Sequence, residues 1–235
     1  MSRDLKIIDF HSHILPCVDH GSDGIKTSTG QVTLMNNAGV DTVVLTPHFY
    51  PHLDRVSAFI SEVTAAAEEL ASGCKERPRF CIGAEVLYCD GIEEMENIEK
   101  LCIKGTNILM IELPVTDEWS RSMLYAIKRL SANYTIVLAH IDRYVGIHDR
   151  ALRSLLSEKN IVAQINASSL SHSKTRKELK KYIDSGYVYA IGSDLHGKDK
   201  KKYRRFVKAR KMLGENSYSN IMTRAADLLS EAELY

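Results

Sequence analysis

His11 and His13, two residues apart in Asp9-Phe10-His11-Ser12-His13, close the first apolar run of the chain. In a strand, residues two apart point to one face, so the two imidazoles can grip a single metal ion. The same ending recurs along the sequence: His48 follows VVLTP, Glu85 ends CIGAE, Glu112 ends ILMIE, His140 ends IVLAH, and Asp194 and His196 follow IGS. An imidazole or carboxylate buried unpaired at the end of an apolar strand is costly, whereas gathering such groups around cations turns the liability into a site. His20, in Pro16-Cys17-Val18-Asp19-His20-Gly21, brings the candidate ligands to nine and takes up the sixth of the chain's nine histidines. The remaining three, His52, His148 and His172, are expected as solvated side chains in polar loops or at helix starts, with His52 close enough in sequence to His48 to approach the same place.

Metal-assisted hydrolysis is the chemistry such a set supports, and a phosphate dianion is one group that clustered cations would favour. Phosphate also calls for parallel donors, which a guanidinium presents better than an ammonium. Arg143, three residues beyond His140, is the candidate. A thiol mechanism is excluded, because none of the five cysteines is followed by five residues and then an arginine. The sixth apolar run ends in Gln164, Asn166 and Ser168, where an amidohydrolase would need a histidine. A basic run from Lys198 to Arg205 follows His196 and reads either as a solvated helix face or as a surface for an anionic partner.

Seven short apolar runs carry these residues: LKIIDF, DTVVLTP, RFCIGAE, NILMIE, YTIVLAH, IVAQINAS and YVYAIGS. Helical periodicity lies between or after them near 24–38, 54–73, 117–131, 148–158, 174–185, 200–213 and 217–231. Strands alternating with helices predict a parallel sheet, and seven of them predict an α/β barrel with its ligands beyond the carboxyl ends of the strands. With 235 residues, 44% of them hydrophobic, and no linker-like tract, the chain is expected to be one domain spanning 1–235. Its 31 Lys and Arg nearly balance 30 Asp and Glu, so no overall field favours nucleic acid. The odd set of five cysteines without C-x-x-C, and the lack of an apolar leader or of the roughly 20 apolar residues that span a bilayer, predict a cytoplasmic protein. The oligomeric state is left open.

The order H-x-H, Leu15-Pro16-x-x-Asp19-x-Gly21, Thr46-Pro47-His48, Gly83-Ala84-Glu85, Ile111-Glu112-x-Pro114, Ala139-His140-x-x-Arg143-Tyr144 and Ser193-Asp194-x-His196 resembles the polymerase-and-histidinol-phosphatase (PHP) superfamily. Within it the pattern is similar to the bacterial tyrosine phosphatases of capsule and exopolysaccharide synthesis. The resemblance implies a distorted seven-stranded TIM-like barrel and three divalent ions of manganese, iron or zinc. It implies that His11, His13, Glu85 and Asp194 hold the first ion, with Glu85 bridging to a second completed by Glu112 and His140. His20, His48 and His196 would hold the third, and Arg143 would contact phosphate. The phosphatase branch usually has aspartate where this chain has His20, whereas other members of the superfamily have histidine. The implied substrate is a phosphotyrosyl protein or peptide, such as a tyrosine kinase with a tyrosine-rich tail, attacked by a metal-activated hydroxide. A small-molecule phosphatase or phosphodiesterase of the same fold, acting on histidinol phosphate or a nucleotide, is the alternative, and a non-enzymatic metal-binding module is a third reading.

Overall fold

Each apolar run becomes a strand, but the second and third break in two. The computed structural model describes residues 5–74, 78–116, 118–197 and 199–235, without the side chains of Lys200 and Lys202. The strands are β1 (Ile8–Ser12), β2 (Thr42–Leu45), β3 (His48–Phe49), β4 (Arg79–Ile82), β5 (Glu85–Leu87), β6 (Ile108–Glu112), β7 (Thr135–Leu138), β8 (Ile161–Asn166) and β9 (Val188–Gly192). All of their pairings are parallel. They form one sheet of order β1-β2-β4 and a second of order β3-β5-β6-β7-β8-β9.

Runs two and three pass from the first sheet into the second, and a bridge between Ser12 and Leu195 ties β1 to the chain beyond β9. The wall thus comes round as a distorted barrel of seven runs in nine segments. The breaks have local causes. Pro47, between β2 and β3, has no N–H to give to a ladder. At Gly83, between β4 and β5, a Cβ would stand 3.0 Å from Ile103 Cγ1, so the chain passes close under a neighbouring turn.

Helices α1 (Ile25–Asn37), α2 (Val56–Gly73), α3 (Arg121–Leu130), α4 (Asp149–Leu156), α5 (Ser173–Asp184), α6 (Lys200–Leu213) and α7 (Glu215–Leu228) follow the expected periodicity. The third starts later than the sequence suggests. Ser120 caps it by accepting from the Met123 N–H at 3.0 Å, while Asp117 lies outside the described residues. Its apolar residues Met123, Ala126, Ile127 and Leu130 recur at helical spacing and are all buried. Between β5 and β6 the sequence shows no helical period, and the chain makes two short 3₁₀ turns, Ile92–Glu94 and Ile98–Leu101.

Every residue of β1, β2 and β8 is buried, because the parallel wall is covered on both faces. Side chains such as Phe10, Val44, Leu109 and Val137 are fully enclosed, each contributing roughly 1.5–3 kcal/mol relative to exposure. His148, expected to be solvated at a helix start, is instead buried, stacked on Trp119 at 4.3 Å with Nε2 2.8 Å from the Thr116 carbonyl. The start of α4 is tucked beneath Trp119, which local sequence could not reveal. His52 and His172 are exposed, as expected. Among the described residues no helix is long and apolar enough to cross a membrane.

Candidate metal centre

Parallel strands place their carboxyl ends at one mouth, and the residues that close the apolar runs meet there, His48 and Glu85 as the first residues of the short strands β3 and β5. His11 and His13 bring their Nε2 atoms to within 3.0 Å of each other, and Glu85 Oε2 lies 3.1 and 3.2 Å from them. The same Oε2 is 3.0 Å from His48 Nδ1, while Glu85 Oε1 is 2.6 Å from His140 Nε2. Glu112 Oε1 stands 3.5 Å from His140 Nε2, and Asp194 Oδ1 lies 3.6 Å from His13 Nε2 and 3.3 Å from His196 Nδ1. His20 joins through its ring, with centroids 4.9 Å from His48 and 4.6 Å from His196. Glu85 therefore sits at the hub.

The close packing depends on two glycines. A Cβ at Gly192 would stand 2.4 Å from His11 Cβ, and one at Gly21 would stand 2.2 Å from His13 Cβ. Two of the candidate ligands also sit in left-handed backbone, His140 at φ 30° and Asp194 at φ 49°. Such conformations cost roughly 1–3 kcal/mol each for a residue with a Cβ, and they collect at functional sites.

Burial and charge set the protonation of the cluster. Burial alone would lower the His11 pKa, but the Glu85 carboxylate overrides it and raises the value to about 9. Burial would raise Glu85, yet the surrounding imidazoles, His11 first, hold it well below the ordinary range. His48 follows His11 upward for the same reason, whereas His20 is lowered by burial and by its neighbours His196 and His48.

Two buried imidazole nitrogens in the cluster, His140 Nδ1 and His196 Nε2, have no hydrogen-bond partner, and Glu85 Oε2 crowds against three imidazole nitrogens at 3.0–3.2 Å. Imidazole nitrogens and carboxylate oxygens left in this condition fit divalent transition ions. Among the described residues three triads bring ligand atoms within 4.8 Å of one another: His11, His13 and Glu85; His48, Glu85 and Glu112; and His13, His48 and His196. The first coincides with part of the first ligand group implied by the resemblance. The other two cross the boundaries between the implied groups, because His48 and His13 both lie against the Glu85 hub.

Arg143 is exposed and spans two of the carboxylates, with Nη1 donating to Glu112 Oε1 at 2.6 Å and Nη2 3.7 Å from Asp194 Oδ2. It pairs with neither Asp142, which accepts from Asn166 N–H and Ser169 Oγ–H, nor Asp149, which accepts from Gly146 N–H and Tyr182 O–H. Beside His20 and His48 opens a cleft of about 370 Å³ lined by Tyr50, Leu53, Arg55 and Phe59, with the Tyr50 ring stacked 5.3 Å from that of His48.

Four orienting residues escaped the sequence reading. Asp19 Oδ2 accepts from His13 Nδ1 at 2.7 Å and from the His48 N–H at 3.0 Å. Gln164 Oε1 accepts from the His140 N–H at 2.6 Å and lies 3.2 Å from His11 Nδ1. Asn166 Nδ2 donates to Asp194 Oδ2 at 2.8 Å, and Asp9 Oδ1 accepts from the Ser193 N–H at 2.7 Å. Burial pushes the Asp9 pKa up to about 6. The available signal was the polar pair Gln164 and Asn166 inside an otherwise apolar run.

The family model described as capsular polysaccharide synthesis, CpsB/CapC, matches residues 7–229. The tyrosine-protein phosphatase CpsB of Streptococcus pneumoniae is 25% identical over 209 residues, covering 82% of this chain and 84% of the relative. The tyrosine-protein phosphatase YwqE of Bacillus subtilis is 25% identical over 205 residues, covering 81% and 77%. A solved structure described as YwqE from Bacillus subtilis and CpsB from Streptococcus pneumoniae, metal-dependent tyrosine phosphatases, matches with a TM-score of 0.75 at 20% identity, covering 97% of this chain and 96% of that one. A lactonase from Listeria monocytogenes shares the fold more distantly, with a TM-score of 0.54 at 10% identity over 97% of this chain and 94% of that one.

Proposed function

The chain belongs to the CpsB/CapC family of capsular polysaccharide synthesis, and on that premise we propose that it is a metal-dependent protein-tyrosine phosphatase serving capsule or exopolysaccharide synthesis. The observation that carries this reading is the gathering of strand-end ligands around Glu85 with Arg143 at their edge. His11, His13, His20, His48, Glu85, Glu112, His140, Asp194 and His196 would hold three divalent ions of manganese, iron or zinc. When bound, those ions would activate water at neutral pH and offset phosphoryl charge.

The chain's own groups supply the rest. Arg143 keeps N–H donors beyond those facing Glu112 and Asp194, so it can take a phosphoryl oxygen and stabilise charge that develops as the P–O bond breaks. Asp19 and Gln164 hold His13 and His11 with Nε2 toward Glu85, so the ligands are in position before substrate arrives. The cleft beside His48 would receive the phenyl ring against Tyr50 and Leu53. Water attacks phosphorus, the bond to the tyrosyl oxygen breaks, and the phenolate leaves without needing a strong acid. No covalent phosphoenzyme is required.

We assign the substrate as a phosphotyrosyl protein, of which a tyrosine kinase with a tyrosine-rich tail is one kind, and read residues 1–235 as one domain around one mouth. A cytoplasmic location suits the unpaired thiols of Cys17, Cys81, Cys89 and Cys102. The deciding measurement is kcat/KM for a phosphotyrosyl peptide, a phosphoseryl peptide, histidinol phosphate and a nucleoside monophosphate under one defined metal. The phosphotyrosyl peptide is expected to lead; a lead of about 100-fold for histidinol phosphate or the nucleotide, some 2.7 kcal/mol, would overturn the assignment.

A further inference from the structure

Helices α5 and α6 hold 13 of the 31 Lys and Arg of the chain but 2 of its 30 Asp and Glu, leaving 18 against 28 elsewhere. α6 has no acidic residue at all, and neither helix has one in its first turn. Cations at a helix N-terminus oppose the backbone dipole, so local helix stability does not account for them. On α6, Lys201, Arg204, Lys208 and Lys211 are exposed and spaced three or four apart, which puts them on one face, with exposed Arg205 beside them. Among the described residues none of these five pairs with a carboxylate, whereas Arg210 pairs with Glu215 at 2.6 Å. Lys198 lies outside the described residues.

The stripe borders the mouth. α6 starts three residues after Gly197, whose N–H donates to the Gly21 carbonyl at 2.5 Å in the His20 loop. Its far end brings Met212 Sδ to 4.0 Å from Ser171 Oγ, in the turn that follows β8. From there a cleft lined by Arg176, Lys177, Lys180 and Met212 continues the basic surface onto α5.

We propose that the α6–α5 face docks acidic residues flanking the phosphotyrosine of the substrate protein, a proposal that rests on the tyrosine phosphatase reading. The 14 residues of α6 span about 21 Å, the reach of roughly six residues of extended peptide. Charge complementarity and the shared mouth favour such a segment. A membrane-lying helix would need an apolar face to insert, but Tyr203, Phe206 and Ala209 are buried in the protein, and Val207 is the exposed large apolar side chain of α6. Nucleic acid would meet the acidic remainder of the chain.

Three substrates under one metal test the proposal: free phosphotyrosine, a phosphotyrosyl peptide with acidic flanks, and the same peptide with neutral flanks. The acidic peptide is expected to lead the neutral one by about tenfold in kcat/KM at low salt, through KM, and to lose that lead at high salt. The triple variant Lys201→Glu, Arg204→Glu, Lys208→Glu should abolish the lead while free phosphotyrosine turns over as before. Gln at the same three positions gives a milder second variant if the first fails to fold. Anisotropy of a labelled, unphosphorylated acidic peptide reads the surface without turnover. Equal kcat/KM for the two peptides, or binding of phosphatidylglycerol vesicles in place of the acidic peptide, would overturn the docking proposal. No turnover of any phosphotyrosyl substrate, with the acidic peptide still bound, would sink the phosphatase reading and leave the surface standing.

Discussion

Asp19 Oδ2 lies 2.7 Å from His13 Nδ1, six residues away in the chain. A carboxylate can only accept, and this one is kept ionised: burial would raise its pKa, but His13 and the N–H groups of His48 and Gly21 hold it well below the usual carboxylate range. Nδ1 of His13 therefore carries a proton, and Nε2 is turned toward Glu85 as the ligand atom. Asp19→Ala should weaken metal binding by about 10- to 100-fold, read by titration of the metal-free protein, and Asp19→Asn should recover part of the loss. Unchanged affinity in the alanine variant would remove Asp19 from the centre.

Gln164 does comparable work for two ligands at once. Its Oε1 accepts from the His140 N–H, a group that can only donate, so that atom is the oxygen and His11 Nδ1 must also present a proton to it. Gln164→Leu leaves both donors buried without an acceptor, and should destabilise the metal-free protein by about 1–3 kcal/mol for each. Gln164→Glu keeps an acceptor and should cost less. Urea unfolding checks the order, and a leucine variant as stable as wild type would refute it.

Activity should depend on metal and not on thiols. Chelation is expected to abolish turnover and added manganese to restore it, whereas iodoacetamide should leave it largely intact. Cys81 and Cys102 are buried, which pushes their pKa values up to about 11 and about 12, and so keeps their thiols protonated and unreactive at neutral pH. Full activity in the metal-stripped protein is the result that would defeat the metal-centre reading.

Arg143→Ala should lower kcat/KM for a phosphotyrosyl substrate by at least about tenfold, or roughly 1.4 kcal/mol, without reducing metal content. Lysine should rescue it poorly, because a single ammonium cannot reach toward Glu112, Asp194 and a phosphoryl oxygen with parallel donors. Unchanged kinetics with normal metal content would return Arg143 to the role of an ion-pair partner for Glu112.

Much of the centre could be read from the sequence because the signal was local. An ionisable residue that ends an apolar strand in a parallel α/β chain stands at the mouth wherever that strand sits in the barrel, so His11, His13, His140 and Asp194 were legible one run at a time, whereas Glu85 closes its run in the sequence but opens β5 in the structure. Arg143 was legible for the same reason, by its distance from His140. The break of runs two and three was less so, since a Gly or Pro within an apolar run does not say which sheet the next strand joins.

Tertiary structure decided which side chains share an atom. Glu85 became the hub, and His48 fell into triads other than the one implied for it, because strands 37 residues apart pair in register, His48 opposite Glu85. Asp19, Gln164, Asn166 and Asp9 were chosen as orienting groups by contacts across 6, 24, 28 and 184 residues. A hydrogen bond is satisfied only by direction and distance at the partner atom, and neither is encoded in the residues on either side of it. The sequence alone determined which groups reach the mouth; the closure of the barrel determined what each of them faces.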